Sequence, residues 1–337
     1  MTKEKIGSII DYLCQRQLES GEFKSQCLLP GAPEKGWYYT GRSPFLTANI
    51  LCCIQDIDHP KVKEITLKGC SFLLSLMGSG GLWKYWEDNN GIMEYNVPYD
   101  IDDTCLVSYL LKKNHCEFPN NQHVILANLD RDHNFNTWLL PRGKNLRYPG
   151  KFLLLANEYR KSIRIFRPNS NIPNNEPISN YWDNEAAVSA HALLYLGENK
   201  ATIPAIDKII ADVLSGKMNL QYYDSPFYAY HHISRAYKHG IKKFEALQEK
   251  ILLDISNATY SDNTEENNLH KVTNAITLLN FNLAEHATYA ELSADIQRDS
   301  MHEDGWIAFK YWTSKQRSWW AGSPEMTAAL YAEVLSN

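Results

Sequence analysis

"SPFLTANIL" (residues 43–51) is closely echoed by "SPEMTAALY" (residues 323–331) at the other end of the chain. A looser copy, "SPFYAYHHI", begins at Ser225. "DIDDTCLVS" at Asp100 aligns by its Thr and the small residue after it, and "DNEAAVSAH" at Asp183 and "NNLHKVTNA" at Asn267 are weaker copies. Each copy opens on Ser, Asp or Asn, whose side chains accept hydrogen bonds from the exposed amides of a helix start, and then runs into apolar sequence. The repeat therefore predicts six buried helices starting near 43, 100, 183, 225, 267 and 323.

Six further segments lie between them, at 3–18, 60–77, 121–130, 202–216, 241–257 and 284–299. Each has a helical period with one apolar and one charged face, as expected of helices on the outside of a core. Pro60 suits a first helical turn. Twelve helices in outer–inner alternation, with almost no strand-like alternation, predict an all-α (α/α)6 barrel, or toroid, of six outer and six inner helices. An α-solenoid is the alternative. The expected organisation is one domain over 1–337 with an insertion at about 131–182. Inner helices of such a barrel run parallel, so their amino termini meet at one mouth. The third positions of the copies, Phe45, Asp102, Glu185, Phe227, Leu269 and Glu325, become candidates to line it.

With 337 residues, 44% of them hydrophobic, the chain has enough apolar sequence for a large core. A formal charge of −5 and the lack of a Lys/Arg cluster leave no electrostatic footprint for nucleic acid or an anionic membrane surface. The start is charged and amphipathic, and no segment has the length and apolarity of a signal peptide or membrane span, so a soluble, cytoplasmic protein is expected. Seven cysteines without a CxxC pair suggest neither a disulfide framework nor a cysteine-rich zinc module. Nine Trp and twenty Tyr gather in stretches such as "GWYY", "GLWKYW", "QYYDSPFYAYHH" and "KYWTSKQRSWWAG" just ahead of helical segments. They either pack loops onto the core or line a pocket for an apolar or sugar-like ligand. Trp86, Tyr223 and Trp312 are the candidates from these stretches.

Three aspartates in four positions, Asp100, Asp102 and Asp103, open the second copy. Asp100 and Asp103 fit a helix cap with an acid three positions later. Asp102 does not follow from that pattern, since its sister copies carry Phe, Leu or Glu there. "DIDDT" before a small residue and an apolar helix resembles the D-x-D-D motif of class II terpene cyclases, such as squalene–hopene cyclases and copalyl diphosphate synthases. "GSGGLWKYW" and "HEDGWIAFKYW" loosely resemble the QW repeats of that superfamily. The resemblance implies a proton-initiated, metal-independent cyclisation of a linear isoprenoid, with Asp102 as general acid and Asp100 and Asp103 beside it. Apolar burial and neighbouring carboxyls favour a protonated acid, and aromatic faces attract the carbocation that follows. The acid needs a hydrogen-bond partner, for which His191, His231, His232 and His270 are available and spacing selects none. No cofactor and no metal are implied. The expected partner is a small isoprenoid, and a homodimer would supply a second wall to the pocket. Arg42, Lys84, Arg142, Lys310 and Arg317 are the cations available to a diphosphate.

Other readings of the same residues stay open. Asp103-Thr104-Cys105 resembles two of the three zinc ligands of protein prenyltransferase β subunits, with His231, His232 or His270 as the third. Glu185 and Glu325, with Asp102, offer the paired carboxylates of a carbohydrate-active (α/α)6 enzyme. A non-catalytic barrel binding a lipid, peptide or protein would need only the fold. "DRDHNFNTW" (130–138) fails as a calcium loop, because Phe135 stands where glycine is needed and Pro141 where a bidentate Glu belongs. No phosphate loop, HExxH or GxSxG sequence occurs.

Overall fold

The computed structural model describes residues 2–28, 36–87, 96–169, 175–260, 265–298 and 305–336. Six helices form its inner wall: α2 (Pro44–Ile54), α4 (Ile101–Lys113), α7 (Ala186–Leu196), α9 (Pro226–Lys238), α11 (Glu265–Asn280) and α13 (Pro324–Leu335). Their packing closes a circle, α2 on α4, α4 on α7, α7 on α9, α9 on α11, α11 on α13 and α13 back on α2. That closure makes the architecture an all-α toroid and excludes the open solenoid. Around it stand α1 (Thr2–Arg16), α3 (Pro60–Ser75), α5 (Gln122–Ala127), α8 (Ile203–Ser215), α10 (Gln248–Ser256) and α12 (Ala287–Arg298). The first of these, α1, packs on the last inner helix, α13, so the two ends of the chain meet.

Local sequence explains both layers. Three inner helices, α2, α9 and α13, begin with a Ser-Pro pair. Proline at the first position has the helical φ already set and lacks an amide that would otherwise need a partner. Ser225 caps the Phe227 amide at 3.3 Å and Ser323 the Met326 amide at 3.0 Å. An inner helix is walled by neighbours along most of its length, and every residue of α2 is buried. An outer helix has one such face, and in α8 the buried residues Ala205, Ile206, Ile209 and Val213 form a single stripe.

The predicted starts shift in two copies. The third inner helix is capped at Glu185 rather than Asp183, because the Asp183 carboxylate is taken by Ser179 Oγ, the Asn180 amide and Lys315 Nζ. The fifth is already helical at Glu265, two residues ahead of Asn267. The third outer helix, α5, shrinks to six residues, and the expected insertion contributes a thirteenth described helix, α6 (Pro149–Ser162), outside the ring. Residues 170–174 of that insertion, and His302, Glu303 and Asp304 of the second glycine turn, lie outside the described residues.

A small sheet was not expected from the sequence. β1 (Gln26–Leu28), β2 (Trp37–Tyr39), β3 (Trp312–Thr313) and β4 (Trp320–Gly322) form an antiparallel sheet in the order β2-β1-β4-β3. Strands of two or three residues carry too few alternations for a period of two to be visible. The pairing of Gln26–Leu28 with Trp320–Gly322 ties the approach to α2 to the approach to α13, both at the mouth.

Candidate active site

Asp100 caps α4: its Oδ1 accepts the Asp103 amide at 2.8 Å. Above this cap the chain from Trp83 is fastened twice, by the Asp100 amide to the Trp83 carbonyl at 3.2 Å and by the Thr104 hydroxyl, which accepts the Trp83 amide at 3.0 Å. Trp83 itself is fully buried, its indole N–H on the Leu73 carbonyl at 2.7 Å. These anchors swing Tyr85 and Trp86 over the start of the helix, where they join Phe45, Trp312 and Trp319. Phe45 and Trp312 meet edge to face at 5.0 Å, and Tyr85 and Trp86 at 4.5 Å.

These rings wall a cavity of about 410 Å³, completed by Trp138, Ile165, Ile178 and Val188. Volumes of this order suit a drug-sized, largely apolar ligand. Asp100, Asp102 and Asp103 lie at its base with Tyr223.

The three acids differ in their surroundings. Asp103 is 2% exposed, and burial, followed by the charge of Asp100 beside it, holds its carboxyl well above the usual range. Burial likewise raises Asp100 to about 7, against the hydrogen bonds it receives from Asp103. Asp102 keeps 16% of its side chain accessible, and both its oxygens are held. Oδ1 lies 2.5 Å from His191 Nδ1, and Oδ2 accepts the Tyr223 hydroxyl at 3.3 Å. His191, fully enclosed on α7, meets His232 of α9 through Nε2···Nδ1 at 2.9 Å. Burial keeps His232 well below the ordinary imidazole range and the Tyr223 hydroxyl well above that of a phenol. Both are neutral.

Glu185 belongs to this site without facing it. Its carboxylate accepts the amides of Tyr222 (2.9 Å) and Tyr223 (3.1 Å), which holds the turn that aims Tyr223 at Asp102. Asp183 does similar work at the rim, joining Ser179 and Lys315 across the cavity.

Of the residues singled out in the sequence, Phe45, Trp86, Asp100, Asp102, Asp103, Tyr223 and Trp312 line one cavity. Glu185, Phe227, Leu269 and Glu325 do not. Phe227 packs on His270 and Tyr230, Leu269 is fully buried, and Glu325 binds Arg16 of α1 at 2.7 Å. Two carboxylates opposed across the cavity, as the carbohydrate reading needs, are therefore not supplied by Glu185 and Glu325. Among the described residues no group of three or more His, Cys, Asp and Glu side chains is placed to hold a metal ion, so Asp103 and Cys105 do not converge with a histidine. The rim cations are also committed elsewhere: Arg42 to Glu87, Lys84 to Glu158, Arg142 to Asn128 and the Tyr181 carbonyl, and Arg317 to Asp224, while Lys310 sits over Trp320. Lys315, not singled out, is the cation in the lining. Tyr85 and Trp319 were also missed, although both stand in the aromatic stretches already noted.

No protein-family profile matches the chain, and no curated protein sequence does. Solved structures do match it. A type II terpene cyclase from Scytonema, MstE, superposes with a TM-score of 0.66 at 11% identity, over 99% of this chain and 97% of that one. The two share a fold. A variant of MstE in complex with geranylgeranyl dihydroxybenzoate, described as its substrate, matches with a TM-score of 0.64, also at 11% identity and over 99% and 97% of the two chains. A protein from Actinoplanes reaches 0.69 at 12% identity, over 100% of this chain and 98% of that one. The likeness thus spans the whole toroid, while so few identities speak for the fold alone. Among the described residues no helix is long and apolar enough to cross a membrane.

Proposed function

We propose that this chain is a single-domain (α/α)6 enzyme that cyclises a linear isoprenoid by protonating it, in the manner of class II terpene cyclases, with Asp102 as the general acid. One observation carries the reading: Asp102 is the accessible carboxyl at the base of an aromatic cavity, and its other oxygen is held by a buried histidine. In the proposed step the Oδ2 proton passes to a terminal alkene or epoxide. The alkene π pair forms the new C–H bond, or the epoxide C–O bond opens as its oxygen takes the proton. The cation then moves along the chain and ends by losing a proton or adding water.

The carboxylate left behind is stabilised where it forms, by the N–H of His191 and the hydroxyl of Tyr223, without rearrangement of either. Phe45, Tyr85, Trp86, Trp312 and Trp319 offer ring faces or edges along the path of the cation, and faces attract it. Part of the cavity wall is built from the chain's own segments at 163–169 and 312–319, which stand where a second subunit's wall was expected. The similarity to a cyclase of a geranylgeranyl substrate supports the class of ligand.

The test is a panel of linear isoprenoids, with and without chelator, followed by mass spectrometry. Asp102→Asn preserves the acceptor for His191 and removes the proton; turnover is expected to fall by about 10²- to 10⁴-fold with the fold intact by circular dichroism. Turnover at the native rate in that variant would overturn the assignment.

A further inference from the structure

Behind Asp102 the hydrogen bonds do not end at His191. They cross three successive staves of the barrel, from α4 through His191 on α7 to His232 on α9. Both rings are at most 1% exposed, and among the described residues His232 Nε2 has no partner. A line of two imidazoles with a dead end has few ways to place its protons.

The same three protons can be arranged in two ways while both imidazoles are neutral. In one, Asp102 carries its proton on Oδ2, His191 donates from Nδ1 to Oδ1, and His232 donates from Nδ1 to His191 Nε2. In the other, the Asp102 proton sits on Oδ1 and points at His191 Nδ1, His191 donates from Nε2 to His232 Nδ1, and the last proton rests on His232 Nε2, which has no acceptor. The second arrangement turns the acid proton away from the cavity. It also buries an unpaired N–H, where the first leaves His232 Nε2 only an unpaired acceptor, and an orphaned buried N–H is the rarer of the two in folded proteins. Once Asp102 is ionised, only the first arrangement supplies Oδ1 with a donor from neutral rings.

We infer that His232 is a positioning residue that fixes the Nδ1–H tautomer of His191 and thereby keeps the proton of Asp102 on Oδ2, facing the cavity. The inference rests on the reading of Asp102 as the acid. The packing around His232 holds its ring in the orientation this requires. Tyr223 lies against it at 5.3 Å, Tyr311 at 6.3 Å, and His231 stacks on it at 5.1 Å. His231 is itself fixed: Arg235 Nη2, paired with Glu333 at 2.9 Å, donates to His231 Nε2 at 3.1 Å, so the proton of His231 lies on Nδ1, beside the Tyr311 hydroxyl at 3.2 Å. The guanidinium, a permanent cation, disfavours a further charge on His231 or His232.

Imidazole tautomers can be read directly from long-range proton–nitrogen correlation spectra of the full chain labelled with ¹⁵N. His191 and His232 are assigned from the signals lost in His191→Asn and His232→Asn. Both are expected as neutral Nδ1–H tautomers. An Nε2–H or imidazolium pattern at either would overturn the inference. His232→Asn places an amide N–H near the position of Nδ1 and is expected to leave His191 in its tautomer; His232→Leu removes the donor and is expected to leave His191 a mixture. A folded Leu variant in which His191 stays wholly Nδ1–H would also overturn it. If the Leu variant does not fold, the wild-type and Asn spectra still decide. Where turnover is observed, kcat should fall at least about tenfold in the Leu variant and much less in the Asn variant, with KM little changed. The spectra do not depend on turnover, so the expected tautomers in a protein that cyclises nothing would reject the cyclase reading and not the positioning of His191.

Discussion

At the scale of single residues, the carboxyls at the base of the cavity make stability depend on pH in an unusual direction. Asp100 is raised from 3.8 to about 7 by burial, so the folded chain binds its proton more tightly than the unfolded chain does. The resulting stabilisation is complete below about pH 4 and is lost as the pH rises through about 7. Asparagine at this position keeps an acceptor for the Asp103 amide without the titration. Asp100→Asn should therefore narrow the difference in melting temperature between about pH 5 and about pH 8; an equally steep decline in the variant would count against the buried carboxyl. At the opposite end of the inner wall, the Arg235–Glu333 pair is 1% and 8% exposed. Glu333→Gln leaves the guanidinium buried without its counter-charge and should cost about 3–5 kcal/mol in chemical denaturation. Asp102 was legible in the sequence as the acid that capping did not require. His191 was one of four histidines available to it and Tyr223 one of the aromatic candidates, but the sequence could not pair them with Asp102, because they lie 89 and 121 residues away along the chain and carry no mark of proximity.

At the scale of elements, loops ahead of the inner helices do much of the positioning. Glu185 ends as the cap residue of α7, yet its carboxylate is spent on the turn before α9. Glu185→Ala leaves two amides without their acceptor and should destabilise the protein by about 1–3 kcal/mol. It should also lower turnover by releasing Tyr223, whereas Glu185→Gln, which keeps one acceptor, should do less on both measures. Gly322 closes β4 so tightly against the neighbouring segment that an added Cβ would lie 2.0 Å from the Phe309 carbonyl oxygen. Gly322→Ala must displace that segment and with it Trp312 and Trp319; a changed near-ultraviolet circular dichroism spectrum with retained helix content is the expected sign. The Ser-Pro starts of three inner helices could be read from sequence because a cap is a local arrangement. The strands could not, because two or three residues pair only after the barrel has brought distant loops together.

At the scale of the whole molecule, stability comes from a circle in which each inner helix is held by two neighbours. Opening one joint should loosen the adjoining staves before those across the barrel. Leu330 on α13 is fully buried, and Leu330→Ala should cost about 2–5 kcal/mol. Hydrogen exchange should accelerate first in α2 and α11, which flank α13, and least in α7; uniform acceleration would show that the barrel opens as one unit. The sequence by itself determined the two layers, their alternation and the number six, because caps and hydrophobic periodicity are properties of neighbouring residues. It also marked Asp102 as surplus to helix capping. Only the tertiary structure decided which side chains meet at the mouth. Parallel staves bring together residues from separate repeats, and equivalent positions in the repeat diverge once each loop engages its own neighbours. That is why Asp102 faces the cavity while Glu185 holds a turn and Glu325 binds an outer helix.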